Sequence, residues 1–226
     1  MLHLKAVNVD IAGIPVLRNV GAEFHASAIY AVVGRNGAGK TTLLRTIMGL
    51  VPRRSGEMVL DDQDLTLMPS HSRASLGIGY APEDRVLFPT LTTLENLRLP
   101  CESLRLPRAE IARRVEEVVN VMPKIKDLLP RSAAALSGGQ GKMAALARSL
   151  MVGTHLILVD EPFQGLAPAL AREFAEALSK IFQIRPELCI VITESNGSLL
   201  DRVDCTMLTL ERGELTAEES QADSVV

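Results

Sequence analysis

Apolar and polar side chains alternate loosely over residues 2–9, with Leu2, Leu4, Val7 and Val9 set against His3, Lys5 and Asn8. That period of two predicts a half-exposed strand. A second strand is predicted over 16–24, after the Gly13-Ile14-Pro15 turn. Residues 29–33 (Ile-Tyr-Ala-Val-Val) are apolar throughout, as a strand buried on both faces requires. A glycine-rich loop and a helix near 40–49 follow, and then a turn at Pro52-Arg53-Arg54-Ser55-Gly56 whose paired arginines read as a solvated corner. From about 90 to 135 the texture is helical. Ile111, Val115, Val118, Val119 and Met122 recur on one helical face, Glu110–Arg114 and Arg113–Glu117 are spaced as ion pairs, and Pro107 falls at the predicted first turn. Strand texture returns at 156–159. Leu170, Phe174, Leu178 and Ile181 mark a further helix, 189–193 another strand, and 206–210 and 214–216 short strands around Arg212-Gly213. The tail from 217 is expected to leave regular structure. Strands alternating with helices predict an α/β sheet with a helical subdomain inserted near the middle.

Bulk properties narrow the function. The 226 residues suit one domain with a substantial core or two closely joined subdomains. Twenty-four basic against 27 acidic residues, 3% aromatics and no Trp supply neither a basic nucleic-acid surface nor a base-stacking platform. The first residues lack the pattern of a secretory signal, and the apolar runs fall far short of the roughly 20 residues that cross a bilayer. A soluble chain is expected, reaching any membrane through a partner. Cys101, Cys189 and Cys205 have no metal-type spacing and are expected to be reduced thiols in the interior.

The chemistry begins at Gly34-Arg35-Asn36-Gly37-Ala38-Gly39-Lys40-Thr41, which fits G-x-x-x-x-G-K-[ST] between a buried strand and a helix. Glycines let successive backbone N–H groups turn inward on a polyphosphate, and the helix behind them offers its positive end. Lys40 supplies a point charge for the β and γ phosphates of ATP, and Thr41 a hydroxyl for Mg²⁺. The strand at 156–159 ends in Asp160 and Glu161. Asp160 is suited to hold Mg²⁺ directly or through water, and Glu161 to take a proton from an attacking water. Ser137 can cap the helical stretch that runs to about Met151, while Gly138 and Gly139 allow backbone N–H groups close to a phosphate.

Leu136-Ser137-Gly138-Gly139-Gln140, lying shortly before the acidic strand and after the Lys40 loop, resembles the signature of the ATP-binding cassette family, and the likeness covers nearly the whole chain. The wording of 77–92 (Gly-Ile-Gly-Tyr-Ala-Pro-Glu-Asp-Arg, then Leu-Phe-Pro-Thr-Leu-Thr), of Asp160-Glu161-Pro162 with Gly165-Leu166-Ala167-Pro168, and of Thr193-Glu194-Ser195-Asn196 is similar to ATPase subunits of branched-chain amino acid importers. Importers of urea or short amides share much of it. The resemblance implies a P-loop core with an N-terminal antiparallel β subdomain (1–89 and 152–226) and an inserted helical subdomain (90–151). It further implies a head-to-tail homodimer or heterodimer beneath permease subunits at the cytoplasmic face of the inner membrane. ATP would lie on Gly34, Arg35, Asn36, Gly37, Ala38, Gly39, Lys40, Thr41 and Thr42, with Ile11 at the adenine. Ser137, Gly138, Gly139 and Gln140 would act on the partner's ATP, Glu161 as the base, Glu83 as a sensor of γ-phosphate and metal, and Ser195 opposite the γ-phosphate. Thr41, Asp160 and Glu83 would serve Mg²⁺. Residues around 85–91 would face the groove that receives a permease helix.

Several positions depart from the family pattern, and two of them, Ile11 and Ser195, point to weak or asymmetric hydrolysis in an isolated homodimer, with a partner ATPase completing a better site. Ile11 stands where an aromatic usually stacks on adenine, Ser195 where His is usual, and Glu83 where Gln is usual. Gly141 and Lys142 replace the usual pair of glutamines, and Ala167 the common Asp. A nucleotide-gated module that hardly hydrolyses ATP is therefore an alternative to a transport ATPase. A cassette for DNA repair would carry coiled-coil or zinc insertions that this chain lacks.

Overall fold

The alternating N-terminus forms a hairpin in the computed structural model, which describes residues 1–84 and 86–217. β1 (Leu2–Ile11) turns through Ala12 and Gly13 into antiparallel β2 (Ile14–Phe24). There follow β3 (Ala28–Val33), α1 (Lys40–Ile47), β4 (Ser55–Leu60), β5 (Gln63–Asp64), a single-turn α2 (Ser70–Arg73) and β6 (Ile78–Ala81). The helical stretch holds α3 (Thr93–Ser103), α4 (Arg108–Val121) and α5 (Gly138–Val152). Then come β7 (Leu156–Asp160), α6 (Pro168–Ile184), β8 (Cys189–Glu194), β9 (Thr206–Glu211) and β10 (Glu214–Ala217). Of the tail expected to be irregular, Ala217 closes β10 and 218–226 lie outside the described residues, as does Arg85.

Two sheets result. β2-β1-β4-β5 is antiparallel, and β10-β9-β3-β8-β7-β6 is parallel except where β10 pairs with β9. Successive side chains of a strand leave on opposite faces, so apolar runs fill two layers. Tyr30, Val32, Leu156, Leu158 and Val191 pack with Leu43, Leu44 and Ile47 of α1 and with the antiparallel sheet. Ala31, Ile157, Val159, Ile190 and Ile192 pack with Met143, Leu146, Leu150, Phe174 and Leu178 of α5 and α6. Neither face is left to water, which is why these strands read as unbroken hydrophobic runs.

Several details differ from the sequence expectation. β4 begins at Ser55, inside the predicted turn, because the chain there pairs with β1; Gly56, at φ 101, lies where the register shifts between Lys5 and Asn8, and a Cβ on it would come within 2.5 Å of the Ala6 carbonyl oxygen. Pro107 is the N-cap of α4 rather than part of its first turn. The Glu110–Arg114 and Arg113–Glu117 pairs form. On the buried face of α4 Val121 is fully covered, whereas Val115 and Val119 are half-buried. Cys101 and Cys189 are buried, Cys205 is half-buried, and all three are free thiols.

Arg73 gave no sequence signal and is buried at 2% exposure. Its guanidinium donates to the carbonyls of Thr46 (3.1 Å), Ile47 (2.5 Å), Leu65 (2.6 Å) and Met68 (2.8 and 3.1 Å). A cation is thereby laid on the negative end of α1, the helix whose other end opens the glycine-rich loop. Arg73→Met strands those carbonyls in the interior at a cost of about 3 kcal/mol, a fall of roughly 6–12 °C in melting temperature for a chain of this size. A thermal melt shifted by less than about 2 °C would show that the carbonyls find other donors.

Candidate functional site

The carboxyl ends of β3, β8 and β7 lie side by side, and the loop 34–39 leaves the first of them. Gly34 is bound to β8 by its N–H on the Glu194 carbonyl (3.1 Å), and a Cβ on it would stand 2.3 Å from the Leu210 carbonyl oxygen. No other residue fits that approach. The loop closes with Ala38 N–H on the Arg35 carbonyl (3.0 Å), and Gly39, at φ 109, caps α1 in a backbone conformation that favours glycine. The first N–H groups of α1 therefore face the loop, where an anion is stabilised by helix end and amides together.

Lys40, buried at 4%, turns back over the loop. Its ammonium donates to the carbonyls of Gly34 (2.7 Å) and Arg35 (3.3 Å) and pairs with Glu161 Oε1 at 3.0 Å. Next to it the Thr41 hydroxyl donates to Asp160 Oδ1 (3.1 Å), which also accepts from Thr193 Oγ1 (2.6 Å). The Tyr80 hydroxyl stands 3.5 Å from Asp160 Oδ2. Burial pushes the Asp160 carboxyl up from its ordinary range, the Thr193 and Thr41 hydroxyls pull it back, and the Glu161 charge adds to the rise. Burial, then the Asp160 charge, raises the Tyr80 phenol to about 12.

The strand turns sharply at its end. Glu161 has φ 45, so the carboxylates of Asp160 and Glu161 leave in different directions, one to Thr41 and one to Lys40. With its amide nitrogen toward the carboxylates, the orientation that satisfies both, Gln164 donates to Glu161 Oε2 (2.9 Å) and Glu83 Oε1 (3.1 Å). Partial desolvation and the Glu161 and Asp160 charges push Glu83 up. Glu194 is fully buried, accepts from the Phe163 N–H (2.8 Å) and is raised to about 7, chiefly by burial, with the Glu161 charge adding. Its Oε2 has no hydrogen-bond partner among the described residues.

A cleft of about 430 Å³ runs past these groups. Of the sequence candidates it gathers Asn36, Gly37, Gly39, Lys40, Thr41, Thr42, Glu83 and Glu161, and it adds Val16 and Gln164, which sequence reasoning missed. Thr193 and Glu194 fall in the stretch 193–196 whose wording carries the resemblance, but the sequence does not mark either as an individual contributor to the site. Asp160 stands behind the wall through Thr41. Ser195 is half-buried one residue beyond β8, and Ile11, at 45% exposure, lies at the end of β1; neither lines the cleft. Nor do Ser137, Gly138, Gly139 and Gln140. Those open α5, where Ser137 Oγ accepts from Gln140 N–H (3.4 Å) and Gln140 Oε1 from Ser137 N–H (3.0 Å), a capping box. Gly139 packs so closely on α6 that a Cβ would come within 2.2 Å of Leu170 Cδ2.

Such a cleft can cradle a polyphosphate, offer hard oxygen donors for a divalent cation and present a carboxylate to water. Residues 17–164 match the family model described as ABC transporter. The probable branched-chain amino acid transport ATP-binding protein LivF of Archaeoglobus fulgidus is 33% identical over 199 residues, 87% of this chain and 82% of that protein. The lipopolysaccharide export system ATP-binding protein LptB of Escherichia coli is 35% identical over 172 residues, 74% of this chain and 70% of its own. A solved dimeric, post-hydrolysis ATP-binding cassette bound to ADP and Pi superposes with a TM-score of 0.85 at 24% identity, covering 99% of this chain and all of that one, which shows a common fold.

Proposed function

This chain belongs to the ABC transporter family, as one of its ATPase domains, and from that premise we propose that it drives a membrane importer for branched-chain or other amino acids. The observation that carries the reading is the joining of four side chains from distant parts of the sequence: Lys40 with Glu161, and Thr41 with Asp160, in adjoining contacts at one sheet edge. ATP lies along the loop 34–42 with its phosphates at the start of α1, and Lys40 moves from its carbonyl partners to the β and γ phosphates. Thr41 and Asp160 would hold Mg²⁺, with Glu83 beside them; hydroxyl and carboxylate oxygens 3.1 Å apart are the donors that cation takes. Bound with the nucleotide, it neutralises charge on the phosphate oxygens. Glu161 accepts the proton of the attacking water, and Gln164 orients its carboxylate.

The signature residues lie away from the cleft of their own subunit, which supports a head-to-tail dimer in which Ser137 and Gly139 close over the partner's ATP. An apolar groove of about 340 Å³, lined in part by Leu50, Ile78, Pro100 and Arg148, is the proposed seat of a permease helix. Arg148 donates to the Val86 carbonyl (2.5 Å), and Val86 and Phe88 are exposed beside it. Among the described residues no helix is long and apolar enough to cross a membrane, so contact with the cytoplasmic face of the inner membrane is assigned to the permease. The amino acid solute rests on the LivF likeness and the shared wording at 77–92 and 193–196. LptB, similarly identical, serves export, so the solute is tested at the permease.

Steady-state phosphate release by the purified chain, alone and reconstituted with its permease, tests the reading. The lone chain is expected to turn over slowly, since Ile11 and Ser195 leave the adenine and γ-phosphate ends without their usual ring side chains, and the full transporter at least several-fold faster. Equal rates would remove the claim that the site is completed by partners. No release in either setting would favour a nucleotide-gated module.

A further inference from the structure

The helix that opens at the signature loop and the turn that carries Glu161 are joined by one side chain. Lys142, in the second turn of α5, donates its ammonium protons to the carbonyl oxygens of Glu161 (2.6 Å) and Gln164 (2.8 Å). These are backbone groups of the two residues whose side chains meet over the cleft. Glu161 sits at φ 45, a left-handed conformation that a glutamate keeps only where its surroundings enforce it. Its N–H is fixed from the other side by Thr193, through the carbonyl (3.1 Å) and the hydroxyl (3.2 Å). The base is thus gripped by β8 at its amide and by α5 at its carbonyl. A side chain aimed by such a backbone moves when either grip moves.

We propose that Lys142 is a positioning residue for hydrolysis: its ammonium ties the signature-loop helix to the turn that aims Glu161 and Gln164, so that engagement of that helix with the partner's nucleotide is transmitted to the base of its own site. The proposal rests on the ATPase reading above and adds to it a residue that touches no nucleotide. An ammonium suits the task because one nitrogen serves two carbonyls from a flexible stem. Its positive charge also faces the carboxyls of Glu83 and Glu194, lowering both against the rise that burial imposes.

The test compares Lys142→Met and Lys142→Arg with the wild type, and repeats Lys142→Met in a Glu161→Gln background. Phosphate release is normalised to protein that binds magnesium-ATP, measured separately by equilibrium titration. Lys142→Met is expected to lower kcat roughly ten- to a hundredfold, with nucleotide affinity changed less than about threefold. Lys142→Arg, which keeps the donors, recovers a large part of the rate, and in the Glu161→Gln background the Met change adds no further loss. A kcat within about twofold of wild type, an equal loss of affinity, an Arg variant no better than Met, an additive loss with Glu161→Gln or a Met variant that does not fold each overturns the proposal. If the wild type itself releases no phosphate, the ATPase reading falls and this inference with it. Wild-type turnover beside an unimpaired Met variant removes the inference alone.

Discussion

Lys40→Ala is expected to abolish saturable binding of magnesium-ATP at concentrations that fill the wild-type site, an affinity loss of at least a hundredfold. Two or three charge-assisted hydrogen bonds to phosphate oxygens disappear, worth about 1.5–3 kcal/mol each before the remaining amides compensate, and each 1.4 kcal/mol is tenfold in affinity. The same change has a second consequence that must be separated from the first. Lys40 and Glu161 pair with side chains only 4% and 6% exposed, so removing the ammonium leaves a carboxylate buried without its cation. Breaking one partner of such a pair costs about 3 kcal/mol of stability. Adding Glu161→Gln removes the stranded charge, and the double variant should regain much of the melting temperature lost by Lys40→Ala while still failing to bind nucleotide. Titration with a labelled ATP analogue, together with thermal melts of the single and double variants, reads both effects. Recovery of binding in the double variant would mean that Lys40 acts through the fold and not on phosphate.

The parts of this site that the sequence displayed are the parts built from contiguous residues. A loop with three glycines and a lysine between an apolar strand and a helix needs no distant partner to be recognised, and the acidic pair at the end of 156–159 is likewise local. The alternation of strands and helices was legible for the same reason, because the central strands are buried on both faces and read as apolar runs. What escaped was set by pairing across the chain. β6 is four residues with a glycine inside it, and only its place beside β7 makes it a strand. β4 begins in a stretch rich in Pro, Arg and Gly whose local chemistry says turn, and long-range pairing with β1 overrides it. Thr193, Glu194, Gln164 and Lys142 belong to the site through contacts spanning 19 to 33 positions, which no local pattern announces. Arg73 is the extreme case: an arginine after a serine-rich turn looks like surface, yet it is the buried clamp on the far end of the helix that follows the phosphate loop. Ser195 is marked by its place within a motif, whereas nothing local marks its neighbour Glu194, the buried carboxyl that ends β8.

Glu161→Gln should separate binding from chemistry. The amide keeps the size of the carboxylate and still offers an oxygen to Lys40 and an edge to Gln164, so the loop 34–42 and its hold on phosphate are preserved. What is lost is the ability to take a proton. General base catalysis of this kind contributes about 10²–10⁴ in rate, and the variant is expected to fall by that factor in phosphate release with its ATP affinity unchanged or tighter. If the signature residues of one copy close over the ATP of another, a second observable follows. ATP-loaded Glu161→Gln protein accumulates as a dimer, because closure is reached and the hydrolysis that reopens it is not; light scattering with and without magnesium-ATP records the change in mass. Asp160→Asn makes an informative control, since it weakens the hold on the metal while leaving the base in place and is not expected to trap a dimer in this way. Equal turnover by Glu161→Gln and wild type would remove Glu161 as the base. Glu194, a fully buried carboxyl beside the cleft that burial raises to about 7, would then become the next group to replace.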